Sequence, residues 1–521
     1  MPEQKNPIIK KALVSVSDKT SLKEFCSELS KLDIEIISTG GTLKFLVENN
    51  INASDISSYT EFPEIMDGRV KTLHPRVHGG ILARREMDKE IMDQCGITPI
   101  DLVVVNLYPF AETISKPDVK FNEAIENIDI GGPSMLRSAA KNNKYVSVVS
   151  DPNDYSVVIE EIEKNGGYLS QDTRLSLATK AFEHTASYDS TIAKYLSSIV
   201  EKDFPENIFG QFKKKEEMRY GENPHQKAAF YTNNTNHIMG VGSAEQLQGK
   251  QLSYNNIADA DAALECVRNF EIPTCVIVKH ANPCGVASDD ELTRAYEKAF
   301  QCDSTSAFGG IIAFNRKLDE KTAKKIIDNQ FVEVIIAPGI SKSAKSVLST
   351  KENTRVLELK EIQEAKKDLK YVSTSDGLLV QEIDISTINE GDLEIVSARK
   401  PTEEEIRDCL FVWRVAKFVK SNAIVFGRNN QTIGIGAGQM SRIDSTKIAS
   451  SKATEMGFQT KGCSLASDAF FPFRDGIDQA ASIGISSIIQ PGGSIKDDEV
   501  IDAANEANMS MMFTKMRHFR H

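Results

Sequence analysis

The chain has 521 residues, 40% of them hydrophobic and 26% charged, which is too long for one compact core and fits an ordinary globular protein of two to four domains. A formal net charge of −12 argues against a broad nucleic-acid or anionic-membrane surface and leaves room only for local basic pockets that take small anions. No apolar run nears the length of a membrane span, the N-terminus MPEQKNPIIKKALVSVSD lacks a signal-peptide core, and eight cysteines occur without Cys-x-x-Cys, so the expected setting is the cytoplasm with reduced thiols.

From residue 12 to 150, short β-branched runs alternate with helical patterns: ALVSVSD, TSLKEFCSELSKL, IEIISTG, GTLKFLVEN, DLVVVNLYPF, FNEAIENID and YVSVVSD. The alternation predicts a parallel sheet flanked by helices, with ligands at the carboxyl ends of the strands. Residues 171 to 200 read as one or two long helices closing that unit, and FKKKEE at 212 to 217 reads as a junction. A second region from MRYGENPHQ to the end again mixes strands (TCVIVKH, GIIAF, VEVIIAP, AIVFG, SIIQP) with helices, with a Lys/Glu/Ser-rich connection expected at 341 to 375. Trp413, in an apolar run of helical spacing, is expected in the core. The sequence carries no strong internal repeat.

Ser15 to Thr20 and Ser38-Thr39-Gly40-Gly41-Thr42 each follow an apolar run and open a helix, joining hydroxyls, backbone N–H groups and a helix N-terminus. Either segment alone suits ordinary N-capping equally well; two in one sheet favour a phosphate cradle. Arg69 and Lys71 add cations, and Asp129-Ile130-Gly131-Gly132 opens a helix that carries Arg137 and Lys141. Such a set suits an anionic sugar phosphate bearing a polar base.

VKHANPCGVA, residues 278 to 287, raises the question of a metal. It reads as a sharp turn through Asn282-Pro283-Cys284-Gly285. A zinc deaminase uses His-x-Glu and Pro-Cys-x-x-Cys, but Asn282 stands two residues after His280 and Ala287 three after Cys284. Zinc is therefore disfavoured, and Lys279 with His280 becomes a candidate acid–base pair.

In order, SVSDKT, STGGT, GRVKTLHP, NLYPF and NIDIGG with the following AAKN resemble the inosine monophosphate (IMP) cyclohydrolase domain of the bifunctional purine-biosynthesis family. RYGENPHQ, VKHANPCG, SAFGG, IIAPG, KSNAIVFG, GIGAGQMSR, SDAFFPFRD and MRHFRH resemble its other half, the 5-aminoimidazole-4-carboxamide ribonucleotide (AICAR) formyltransferase. The resemblance spans essentially the whole chain. It implies an α/β protein: a methylglyoxal-synthase-like parallel-sheet domain over 1–200, with its core in about 1–150, then a transformylase region over 201–521 made of two cytidine-deaminase-like subdomains that lack the metal. The implied chemistry is formyl transfer from 10-formyltetrahydrofolate to AICAR, then closure of formyl-AICAR to IMP with loss of water. The implied substrates are these small molecules, with no nucleic acid, no membrane and no catalytic metal, and the implied assembly is a homodimer with the transformylase site across its interface.

The resemblance also implies roles. In the cyclohydrolase, Lys141 would donate or accept the proton, with neighbouring cations such as Arg137 lowering its pKa, while Lys71, Tyr108 and Asp129 orient and polarise the reacting groups. Ser17, Asp18, Lys19, Ser38, Thr39, Gly40, Gly41, Arg69, Thr72 and Asn106 would hold the nucleotide. In the transformylase, His280 would be the general base, Lys279 the electrostatic stabiliser and Asn422 a further catalytic group. Arg219, Tyr220, Gly309, Arg442, Phe470, Asp475 and Arg517 would contact AICAR or folate. Glu333 departs from the pattern, standing where the family carries Asp and reaching one methylene further. Three other readings are a zinc nucleoside deaminase, a methylglyoxal-synthase-type lyase and a non-catalytic nucleotide sensor.

Overall fold

The computed structural model describes residues 6–66, 68–200, 204–233, 240–364 and 366–521, in two compact units, Met1–Gln211 and Phe212–His521. Residues 201–203, at the expected start of the second domain, lie outside the described residues.

In the first unit five parallel strands lie in the spatial order Ser54–Asp55, Glu35–Ser38, Lys11–Ser15, Leu102–Val105, Ser147–Val149. Leu102–Val105 is buried at every position, as a strand covered by helices on both faces must be. The order reverses between Lys11–Ser15 and Leu102–Val105, and a crevice opens at the carboxyl ends of strands at such a switch point. Gln171–Val200 forms a single helix, which packs on the helix Gly131–Lys141.

The second unit is built on one sheet of twelve strands. From one edge to the centre run Glu245–Gln248, Arg355–Glu358, Val332–Ala337, Gly310–Phe314, Thr274–Lys279 and Asn282–Ser288; from the other edge run Glu394–Ile395, Ser510–Phe513, Ser487–Gln490, Ser464–Ser467, Ile424–Arg428 and Gln431–Gly436. The two halves therefore repeat one topology. They meet where Ala287 opposes Gln431 and where Thr432 Oγ1 bonds both Val286 N and Val286 O. Helices Tyr254–Val267 and Glu403–Ala416, each opened by a capping box, share one face and one apolar core, which includes buried Trp413. The opposite face carries a separate core for each half.

Three local expectations change. FKKKEE begins the second unit, as a junction would, but lies within the strand Phe212–Met218, paired with Ala228–Asn233 in a two-stranded ribbon whose exposed faces tolerate charge. The 341–375 stretch keeps the helix Lys342–Leu348 and the strand Arg355–Glu358 inside the first half, because Ala344, Leu348, Val356 and Leu357 are buried beneath its polar surface. The sharp turn of VKHANPCGVA falls at His280-Ala281, and Asn282–Ser288 is a strand in which Cys284 is the extra residue of a bulge between Pro283 and Gly285.

Candidate active sites

In the first unit, Asn106 fastens the first loop to the strand across the switch point. Its Oδ1 accepts Ser17 N at 2.6 Å and Asp18 N at 2.9 Å, and its Nδ2 donates to Asp18 O at 2.9 Å. Lys19 Nζ reaches Ser17 O at 3.4 Å, while the Asp18 carboxylate accepts the hydroxyl and the amide of Thr20, which hold it below its ordinary range. The second loop is drawn alongside by Thr39 Oγ1, 2.9 Å from Ser15 Oγ. Ser38 is fully buried with its hydroxyl donating to Val14 O, so it builds the wall rather than offering its side chain to the crevice. Gly40 is left-handed and, with Gly41, begins the helix Gly40–Glu48, where no side chain caps the free amides.

Lys71 lies over that turn: a β-carbon on Gly40 would stand 3.5 Å from its Nζ. It also acts on Asp129, whose Oδ1 accepts Gly132 N at 2.8 Å. Burial raises the Asp129 carboxyl above its ordinary value, against the Gly132 amide, the Lys71 charge and the Tyr108 amide. Thr72 is buried against Gly131, and Tyr108 is exposed. Arg69 pairs with Glu126. The structure thus brings the two loops, Lys71, Thr72, Asn106, Tyr108 and Asp129 to one crevice. It does not bring Lys141 there. Lys141 ends the helix that Gly131 begins, about 15 Å further along the axis, and Arg137 is engaged over the Phe182 ring at 5.5 Å.

In the second unit, His280 and Ala281 form the two-residue turn between Thr274–Lys279 and Asn282–Ser288, with φ of 53° and 57°. Such a turn favours Asn and Gly, and a residue with a β-carbon pays roughly 1 kcal/mol or more to be left-handed. The carboxylate of Asp259 accepts both turn amides, Ala281 N at 2.7 Å and His280 N at 3.2 Å. Lys279 Nζ donates to Phe308 O at 2.6 Å and lies against left-handed Gly309. Glu333 accepts Asn256 Nδ2 at 2.7 Å and stands 3.9 Å from Arg355. Arg219 and Tyr220 follow the ribbon strand Phe212–Met218, with the guanidinium 5.7 Å from the Tyr220 ring centre.

The second half contributes at the same end of the central strands. Asn282 donates to His280 O at 3.2 Å and accepts Lys420 N at 2.9 Å, which ties the turn to the segment carrying Asn422. Asn422 Nδ2 donates to Gln439 O at 2.8 Å. Arg442 bonds Ser467 Oγ at 3.1 Å and buried Asp468 at 3.2 Å, and Arg517 lies 4.3 Å from the Phe519 ring centre. Phe470 follows two residues after Asp468 with its ring partly exposed; Asp475 is exposed at the start of the helix Asp475–Ser482.

Cys284 is buried, which pushes its thiol well up, and its Sγ contacts Ile277 O. Among the described residues, no three His, Cys, Asp or Glu side chains are grouped to hold a metal ion. No helix among them is long and apolar enough to cross a membrane. Sequence reading missed Asp259, Asn256, Asn282 and Asp468. Only the polar NNIADAD run in an otherwise apolar helix signalled the first two.

Each α/β unit thus holds one polar cluster, the arrangement expected of a two-centre enzyme. Residues 139–452 match the family described as AICARFT/IMPCHase bienzyme, and residues 21–134 match the MGS-like domain. A solved structure titled "Crystal structure of ForH" is similar at 37% identity over 36% of this chain and 97% of its own, with a TM-score of 0.34. The chain belongs to the AICARFT/IMPCHase bienzyme family. Its two activities, AICAR formyltransferase with a folate co-substrate and IMP cyclohydrolase, are the last two steps of purine biosynthesis.

Proposed function

We propose that the crevice around Asp129 is the cyclohydrolase centre and that the turn bearing Lys279 and His280 is the formyltransferase centre, with 10-formyltetrahydrofolate as donor. In cyclisation the carboxamide nitrogen attacks a formyl carbon held on the same ring, so proximity supplies much of the rate. The new C–N bond forms, the formyl oxygen takes up protons and it departs as water. Lys71 and Tyr108 polarise that oxygen, and Asp129 takes the amide proton. The Ser17–Lys19 and Thr39–Gly41 loops, with Arg69, Thr72 and Asn106, hold the ribose phosphate. Lys141 is too far along its helix to share the carboxamide with Asp129 in one chain, so any contribution from it requires a second copy.

In transfer, the exocyclic amine of AICAR attacks the formyl carbon, His280 takes its proton, and Lys279 stabilises the oxyanion. The bond to the folate nitrogen then breaks and that nitrogen is protonated. Arg219, Arg442 and Arg517 suit phosphate or carboxamide through paired donors, and Tyr220 and Phe470 offer ring faces. Gly309 and Glu333 line the carboxamide, Asn422 orients the amine, and Asp475 accepts from the pteridine. No step uses a metal. The working form is a cytoplasmic homodimer, whose interface completes this centre.

The observation that carries the assignment is the gathering of Lys279, His280, Gly309, Glu333 and Asn422 at one end of the interior strands of the second unit's sheet, far in sequence from the residues of the first unit's crevice. The test is purified enzyme, treated with EDTA, given AICAR and 10-formyltetrahydrofolate while tetrahydrofolate and IMP are followed together. Both products support the reading; no tetrahydrofolate from folded, metal-stripped protein that recovers with zinc would replace it with a metal-dependent one.

A further inference from the structure

We infer that Asp259 is a positioning residue for formyl transfer, holding the left-handed His280-Ala281 turn so that the imidazole is presented to substrate. The inference rests on the reading of His280 as the base. The duplicated fold supplies the comparison. Asp259 is the sixth residue of the helix Tyr254–Val267, and Asp408 is the sixth of the helix Glu403–Ala416. Asp408 Oδ1 accepts Asn429 N at 2.8 Å, and its carboxylate also takes the Asn430 amide. Asn429 and Asn430 form the matching hairpin turn, with φ of 55° and 56°.

Both halves therefore use one device, a helix carboxylate that binds the two amides of a left-handed turn. They differ in what the turn contains. Asn tolerates the left-handed region, because its short polar side chain bonds locally. Ala281 does not share that tolerance and His280 shares it only in part, so the first half's turn depends more heavily on its clamp. Backbone strain maintained by surrounding bonds is a feature of functional sites, and here the strained residue carries the imidazole. The surroundings agree with this division: Asp408 holds a turn of two asparagines, whereas Asp259 stands beside Glu333 and the exposed His280.

The test compares four variants of the full chain, Asp259→Asn, Asp408→Asn, His280→Ala and the double variant Asp259→Asn with Ala281→Gly. Each is assayed for kcat and KM of formyl transfer, for cyclisation of supplied formyl-AICAR, and for thermal melting. Asp259→Asn is expected to lower transfer kcat by about 10- to 100-fold, with KM for AICAR within about 2-fold and cyclisation unchanged. Ala281→Gly should recover part of the lost kcat, since glycine adopts the turn without help. Asp408→Asn should melt earlier while keeping kcat within about 2-fold. Wild-type kcat in Asp259→Asn, or an equal kcat loss in Asp408→Asn, would overturn the inference. Should Asp259→Asn not fold, Asp259→Glu reads the same property, and normal kcat there overturns it as well. His280→Ala separates the two levels of the argument: if it retains transfer, the assignment of the base fails; if it abolishes transfer while Asp259→Asn does not, only the positioning role fails.

Discussion

Asn282 accepts the backbone N–H of Lys420 at 2.9 Å, so one side chain in the first half of the duplicated sheet fixes the segment of the second half that bears Asn422. The same amide donates to His280 O. Asn282→Ala removes both bonds, and a small displacement of reacting groups costs up to about 100-fold in rate. We expect transfer kcat to fall by about 10- to 100-fold while cyclisation is untouched. Steady-state assays of the two half-reactions on one preparation check this.

Gly132 faces the carboxylate proposed for cyclisation. A β-carbon there would stand 2.5 Å from Asp129 Oδ2 and 2.6 Å from Leu107 Cδ2, so Gly132→Ala must push the carboxylate aside. Cyclisation of supplied formyl-AICAR should drop by at least about 100-fold, and formyl-AICAR should accumulate from AICAR because transfer continues.

The Asp129 carboxyl titrates above its ordinary 3.8 chiefly because it is buried. A carboxyl raised in the folded state binds its proton more tightly there than in the unfolded chain, so its ionised form costs stability at neutral pH. That cost fades as pH falls through the folded value and is gone below about 3.8. Asp129→Asn should therefore melt at or above the wild-type temperature near pH 7.5, with the difference closing toward about pH 4, while cyclisation is lost. Melting curves across that range supply the check; a variant markedly less stable at pH 7.5 contradicts it.

Asn106 spends its amide on Ser17 N, Asp18 N and Asp18 O. Asn106→Ala frees the first loop, and leaving such groups unsatisfied costs about 1–3 kcal/mol. The expected result is a rise of about 10- to 100-fold in KM for formyl-AICAR, with kcat less affected, measured by initial rates.

Much of this was legible in the sequence for physical reasons. Strands such as LVVV, buried on both faces, announce themselves as apolar runs, and the loops with Thr39-Gly40-Gly41 combine hydroxyls and glycine at a helix start. Trp413 was legible as core from its helical spacing. The turn at His280-Ala281 was not, since Ala does not favour a left-handed hairpin and the Pro283-Cys284-Gly285 run carries the stronger turn signal. What overrides that signal is the distant Asp259 carboxylate. The duplication was implied by the family resemblance but not by any repeat in the residues, because Asp259 and Asp408 keep their place while the turns they hold differ in side chain. Lys141 shows the opposite limit: a motif names a residue without saying which end of its helix meets the site.

The most direct test of two separate centres is a product time course from AICAR and 10-formyltetrahydrofolate, and separately from supplied formyl-AICAR, for His280→Ala and Asp129→Asn. The account predicts that His280→Ala forms IMP only from supplied formyl-AICAR, and that Asp129→Asn releases tetrahydrofolate while formyl-AICAR accumulates. Loss of both activities in either folded variant, or of neither, would contradict it.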